Sequence, residues 1–160
     1  MRLVELSLEN YGAFSARTLS FPTAPGIVKL IYGPNEAGKS TCLRAVEAWL
    51  FGFPPRTKDG HDKRARLRVG GTLEKEDGSR LTFARRSGRG QTVLTADDQP
   101  LGDDVPRAFL GGVDAEMFRA LYGLDGQRLR SGADALLGAR GGLGERRAWP
   151  APAPAASLVR

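Results

Sequence analysis

A glycine-framed loop in the first quarter of the chain constrains the fold more than any other sequence feature. Residues 33–40 read Gly-Pro-Asn-Glu-Ala-Gly-Lys-Ser, which satisfies the pattern G-x-x-x-x-G-K-[ST]. An apolar run from Gly26 to Tyr32 precedes the loop, and apolar residues at helical spacing follow it from Lys39 to Phe51. This order predicts a strand buried on both faces, then a phosphate-binding loop, then a helix.

The residue types of this loop suit a polyphosphate. Gly33 and Gly38 allow a tight turn, and the backbone N–H groups between them form an anion-binding nest at a helix N-terminus. Lys39 is predicted to reach the β- and γ-phosphates, Ser40 to bind Mg²⁺, and Thr41 to donate to the α-phosphate. The predicted cofactors are therefore ATP and Mg²⁺. The predicted nucleotide-binding residues are Gly33, Pro34, Asn35, Glu36, Ala37, Gly38, Lys39, Ser40 and Thr41.

The remaining patterns predict strands before and after this unit, and then short helices. Period-two alternation predicts a strand over 2–9, and further strands are expected at 17–21, 67–74, 80–86 and 92–95. Helices are predicted near 105–110 and, after an N-cap at Asp114, over 115–121. In the second of these helices, Met117, Phe118, Leu121 and Tyr122 are expected to face the core. We therefore predict an α/β P-loop NTPase fold, with a mixed sheet around the strand before the loop and a smaller antiparallel sheet beside it.

Composition indicates a basic protein of one domain. The 160 residues carry a net charge of +6, and basic residues cluster within 56–68 and again at Arg80, Arg85, Arg86 and Arg89. Such a balance favours anionic partners. No apolar run approaches the roughly 20 residues of a membrane span, and no signal peptide is recognised. The single cysteine, Cys42, excludes an internal disulfide. We expect a cytoplasmic protein with no membrane contact, in which 1–145 form the domain and 146–160 a disordered Ala/Pro-rich tail.

Several short motifs follow one another in a characteristic order. They are Asn10-Tyr11-Gly12-Ala13-Phe14, the segment from Leu30 to Thr41, Leu50-Phe51-Gly52-Phe53, Phe109-Leu110-Gly111-Gly112 and Leu121-Tyr122-Gly123-Leu124-Asp125. Over residues 1–145 this order resembles the N-terminal ATPase lobe of the SMC-like, ABC-type ATPases of DNA repair. It is similar in particular to the YhaN group, which are relatives of the SbcC nuclease-associated ATPase.

The resemblance implies partners and further site residues. In that family the two ends of a long chain form one ATPase head, and two heads dimerise around two ATP molecules. A complementary C-terminal lobe or a second head is therefore an expected partner. The resemblance also implies DNA contact through the basic loop 56–68. It implies that Gln127, or Asp125, senses Mg²⁺ and the γ-phosphate.

Other motifs of the family are missing from this sequence. It contains no run of four apolar residues followed by Asp-Glu, no Leu-Ser-Gly-Gly signature and no heptad run. The carboxylate that would position the attacking water is thus not among its residues. We predict no catalytic residue and expect ATP to be bound far better than it is hydrolysed. The Ala/Pro run after Gly141 to Glu145 suggests a truncated or frame-shifted product.

Two other functions are compatible with the residues. The chain could be a small self-contained P-loop nucleotide kinase, since it has arginines for a lid, although no later apolar strand ends in a carboxylate. It could instead be a basic DNA-binding module with a degenerate nucleotide site. A GTPase is disfavoured because neither D-x-x-G nor N-K-x-D occurs.

Overall fold

One antiparallel sheet forms the framework of this protein. The computed structural model describes residues 1–24, 27–57, 59–60, 66–123 and 130. The sheet has five strands in the order β2-β1-β3-β4-β5, and every pairing within it is antiparallel. The strands are β1 (Arg2–Tyr11), β2 (Phe14–Ser20), β3 (Arg68–Glu74), β4 (Arg80–Arg86) and β5 (Val93–Leu94).

Helix α1 (Lys39–Phe51) packs on this sheet and supplies much of the core. Trp49 is fully buried, its indole ring stacks on Phe83 of β4 at 4.7 Å between ring centres, and its Nε1 donates to the Phe83 carbonyl at 3.0 Å. Leu6 and Leu8, two residues apart on β1, are buried in the same core. The apolar faces of β1 and α1 therefore pack together in one hydrophobic core.

Two short helices follow the sheet. They are α2 (Asp104–Phe109) and α3 (Ala115–Leu121). Asp114 caps α3 as predicted, because its carboxylate accepts a hydrogen bond from the Met117 N–H at 2.7 Å. None of the helices in the described part of the chain is both long enough and apolar enough to cross a membrane.

The chain divides into two compact units. The first comprises Met1–Gly123, and the second comprises Leu124–Arg160. Within the second unit only Arg130 is described. The predicted sensors Asp125 and Gln127 and the predicted tail 146–160 therefore lie outside the described residues.

Most of the predicted strands and helices are confirmed, with shifts of a few residues at their ends. The buried strand before the glycine loop is wrong. Residues 27–32 lie outside every strand, and Val28, Leu30 and Tyr32 are 90%, 79% and 86% exposed. Among the described residues no backbone hydrogen bond pairs this segment with a neighbour. The mixed sheet predicted around it is consequently not formed by the described residues, because an apolar run becomes a buried strand only where other strands cover it.

The predicted core face of α3 is also wrong in part. Phe118 packs against the core as expected. Met117, Leu121 and Tyr122 are 45%, 60% and 63% exposed. Helical spacing identifies residues that share a face, but it cannot say how much of that face a neighbouring element covers.

Candidate nucleotide-binding site

The glycine loop ends where helix α1 begins, and this junction presents free backbone donors. Gly38 is the N-cap of α1, and no side chain caps this helix end. The first intrahelical bond runs from the Cys42 N–H to the Gly38 carbonyl at 2.9 Å. In the described structure the N–H groups of Lys39, Ser40 and Thr41 have no protein acceptor. Three unpaired N–H groups at the positive end of a helix dipole are the arrangement that binds phosphate.

The backbone of the loop adopts conformations that favour such a site. Gly38 has φ +91° and Glu36 has φ +67°, so both lie in the left-handed region. For Glu36 this conformation costs on the order of 1 kcal/mol, and strained residues of this kind cluster at ligand sites. Most of the loop is solvent-exposed, with only Gly33 and Gly38 half-buried. The loop is therefore accessible to a nucleotide.

The side chain of Lys39 folds back over the glycine loop. Its Nζ donates to the carbonyl of Gly33 at 2.7 Å and to the carbonyl of Pro34 at 2.7 Å. The side chain is exposed and has no carboxylate partner among the described residues. Its charge is thus held over the loop without being neutralised, and carbonyl acceptors can be exchanged for phosphate oxygens. Ser40 is exposed in the same first turn, where its hydroxyl is open to a metal ion. These residues fit Mg·ATP.

The hairpin between β1 and β2 supports the loop from one side. Phe14 contacts Gly38 so closely that a methyl group added to Gly38 would lie 2.7 Å from Cε2 of the ring. A methyl group added to Gly12 would lie 2.5 Å from Cγ2 of Thr41. The start of α1 is therefore held between the hairpin and the rest of the core.

Thr41 is linked to a polar cluster behind the loop. Arg44 Nη2 donates to Thr41 Oγ1 at 3.3 Å and to Asp59 Oδ1 at 2.6 Å. Arg44 Nε lies 3.0 Å from the second oxygen of the same carboxylate. Tyr11 donates its hydroxyl to Asp59 Oδ2 at 2.9 Å. The cluster thus joins β1, α1 and the segment after α1.

The aromatic residues of the hairpin behave as core residues. Tyr11 is 1% exposed, and Phe14 packs against the core. Burial, followed by the bond to Asp59 and the charge of Asp59, raises the pKa of the Tyr11 hydroxyl far above its ordinary value. Tyr11 is thus a neutral donor at all physiological pH values, which suits its bond to a carboxylate.

The two basic clusters are only partly free for a ligand. In the first, Arg56 and Arg66 are exposed, but Arg68 lies on β3 and forms ion pairs with Glu9 and Asp98. The described part of this loop comprises 56–57, 59–60 and 66–68. Arg68 is consequently a structural residue, since its charge is already paired.

The second basic cluster likewise contains both paired and unpaired arginines. Arg80 pairs with Glu74, and buried Arg85 pairs with Asp103 at 2.6 Å while its Nε donates to the Trp49 carbonyl at 2.8 Å. Arg85 therefore satisfies the C-terminal end of α1. Within the described residues, Arg86 and Arg89 have no carboxylate partner.

Asp59 and Arg44 are site residues that the sequence did not identify. Asp59 lies 20 residues after Lys39 in a polar segment without periodicity, so no sequence pattern marks it as a site residue. Arg44 lies at an exposed position of α1, where a charged residue is ordinary for an amphipathic helix. The only available sequence signal is the spacing of Thr41 and Arg44, which places both on one face of α1.

Comparison with known proteins indicates the family of this chain. A family model described as an AAA domain matches residues 1–148. The chain is also 36% identical, over 129 residues, to a Bacillus subtilis (strain 168) protein described as uncharacterized protein YhaN. That alignment covers 78% of this chain but 13% of the relative, so the chain corresponds to a small part of the relative's length. With a family model matching nearly its whole length, the chain belongs to the AAA-domain family as an ATPase-like, nucleotide-binding module of the YhaN type.

Proposed function

We propose that this chain is the ATP-binding N-terminal half-lobe of an SMC-like ATPase head. The observation that carries the proposal is the set of unpaired N–H groups at the start of α1, with the unneutralised Lys39 ammonium beside them. These groups match the negative charge and the acceptor oxygens of a triphosphate.

The proposed roles follow from where each side chain lies. The loop amides and Lys39 hold the β- and γ-phosphates. Ser40 binds Mg²⁺, and Thr41 donates to the α-phosphate. Among the described residues Lys39 bonds to two neutral backbone carbonyls. Nucleotide binding exchanges these acceptors for anionic phosphate oxygens, so that donor and acceptor are both charged. The sequence contains no run of four apolar residues followed by Asp-Glu, so hydrolysis would require a carboxylate from a complementary lobe.

Isothermal titration calorimetry with Mg·ATP tests this function. The intact chain should release heat on binding, and Lys39→Ala should abolish or greatly reduce it. Lys75→Ala is the matched control, since Lys75 lies in the turn after β3 and contacts the ring of Phe109. The proposal fails if the intact chain gives no heat, or if the Lys39 variant binds as the intact chain does.

A complementary C-terminal lobe is the partner that the structure supports best. The exposure of the side chains alternates along residues 27–32. Val28, Leu30 and Tyr32 are largely exposed, whereas Ile27 and Ile31 are 49% and 46% exposed. Lys29, on the less exposed side, donates to the Leu3 carbonyl at 2.6 Å. One side of the segment thus rests on β1, while the other side and the backbone groups are available to strands from a second lobe.

A second proposed partner is DNA, for which one surface is favoured. A cavity of about 660 Å³ lies between the segment after α1 and the turn after β4, and its lining includes Pro55, Thr57, Arg86 and Arg89. Exposed Arg56 and Arg66 adjoin that lining in sequence. All four arginines lack ion-pair partners in the part of the chain that is described. Unpaired arginines around an open cavity suit the phosphates of a nucleic acid.

A further inference from the structure

The carboxylate of Asp59 is held in a fixed position by residues from two different elements of the fold. Tyr11 on β1 and Arg44 on α1 both donate to it, and its side chain is only 12% exposed. The backbone is fixed as well, because the Gly12 N–H donates to the Asp59 carbonyl at 2.6 Å. An acidic side chain this constrained can define the position of any group that binds it.

Asp59 in turn determines the position of Arg44. Both Nε and Nη2 of Arg44 bond to the carboxylate, at 3.0 Å and 2.6 Å from its two oxygens. The Arg44 side chain is 51% exposed, so without this two-point contact it would be free to sample many rotamers. The planar guanidinium fits a carboxylate in this fork geometry. Arg44 Nη2 is thereby placed 3.3 Å from the hydroxyl oxygen of Thr41.

This contact decides how the Thr41 hydroxyl is oriented. A guanidinium can only donate, so the Thr41 oxygen accepts from Arg44 and its own proton remains available. The methyl group of Thr41 faces Gly12, where a Cβ would lie 2.5 Å from Cγ2. Gly12 and Arg44 thus contact opposite branches of the same side chain and select one rotamer.

We propose that Asp59, acting through Arg44, is a positioning residue for the Thr41 hydroxyl in nucleotide binding. The inference rests on the proposed function, in which Thr41 donates to the α-phosphate. It deepens that function because it makes nucleotide affinity depend on a side chain outside the glycine loop. Asp59 itself does not touch the nucleotide.

A double-mutant cycle on the intact chain tests the proposal. The association constant for Mg·ATP is measured by calorimetry for Asp59→Asn, Thr41→Val and the double variant. Asp59→Asn should weaken binding about fivefold, the effect of one lost hydrogen bond. In the Thr41→Val background the same change should have almost no further effect, because the hydroxyl it positions is gone. A purely structural role would give the same fold-loss in both backgrounds, and that result would overturn the proposal.

A second cycle and a control keep the test decisive if Asp59→Asn fails to fold. Arg44→Gln, at a half-exposed position, replaces Asp59→Asn in the cycle and should show the same coupling to Thr41→Val. Asp98→Asn breaks another carboxylate–arginine pair, with Arg68, and should leave binding unchanged. If the intact chain binds Mg·ATP but the losses multiply, the positioning role alone is wrong. If the intact chain does not bind at all, the proposed function and this inference both fail.

Discussion

Gly38 and Phe14 are packed so closely that no larger residue fits at position 38. An added methyl group would overlap the Phe14 ring, in addition to the strain of a side chain at φ +91°. The glycine that begins helix α1 is therefore fixed by a contact with the β1–β2 hairpin as well as by the turn itself.

The variant Gly38→Ala should consequently destabilise the protein and weaken Mg·ATP binding. Backbone strain contributes about 1 kcal/mol or more, and steric overlap contributes about 1–3 kcal/mol. Gly78→Ala is the matched control, since Gly78 has φ +83° but nothing within 4 Å of an added methyl group. Urea denaturation should show the larger loss for Gly38→Ala, and adding Phe14→Ala should recover the steric part. Equal losses in the two glycine variants would contradict the packing argument.

The stability contributed by Asp59 should depend on pH. Burial acts to raise the pKa of this carboxyl, but the hydrogen bonds from Arg44 and Tyr11 and the Arg44 charge outweigh it and lower the pKa from 3.8. A folded-state pKa below the unfolded one adds stability above the unfolded value, which is lost as the pH falls through the folded value.

We therefore expect the intact chain to be more stable than Asp59→Asn at pH 7, and the difference to shrink below about pH 4. Urea denaturation at a series of pH values measures it. Glu76→Gln, at an exposed position in the turn after β3, is the control. A difference that persists unchanged at the lowest pH would show that Asp59 does not act as a charged acceptor.

The thiol of Cys42 should react slowly although it lies near the start of a helix. Cys42 is 7% exposed, and burial raises the pKa of its thiol. Because it is the only cysteine, labelling with a thiol reagent reports this site alone. Labelling at pH 7.5 should be much slower in the folded chain than in the chain unfolded by urea. Equal rates would show that the start of α1 opens readily.

The exposed apolar segment before the loop should be needed for assembly but not for folding of this chain. Leu30→Lys places a charge at a side chain that is 79% exposed, so the melting temperature should hardly change. Size-exclusion chromatography with light scattering, in the presence of the C-terminal part of the Bacillus subtilis relative, should show a complex that this variant cannot form. Thr18→Lys on the exposed edge of β2 is the control. Complex formation by Leu30→Lys would exclude this segment from the interface.

Arginines around the cavity beside β4 should contribute to DNA binding. Arg89→Ala should lower the salt dependence of binding by about 0.9 in the log–log slope, the value for one phosphate contact. Arg80→Ala should have little effect because Arg80 is already paired with Glu74. Fluorescence anisotropy with duplex DNA at several salt concentrations measures both. Binding that is independent of salt, or unaffected by Arg89→Ala, would contradict the proposed DNA surface.

The sequence was a good guide wherever the deciding interactions are local. Helix α1 and the Asp114 cap of α3 were predicted because spacing and capping act within one or two turns. The Asp59 cluster was missed because it joins residues 15 to 48 positions apart, as in its bonds to Arg44 and Tyr11. The prediction that Tyr32 is buried was wrong because burial depends on whether another element covers the segment, and that element is distant in the chain.

Residues adjacent in the chain encode the glycine loop and the helix after it, and they predict that Lys39 contacts phosphate. Folding sets which arginines are paired, which apolar face is uncovered and how Thr41 is oriented. Those properties depend on contacts between distant segments, and a linear pattern of residue types does not contain them.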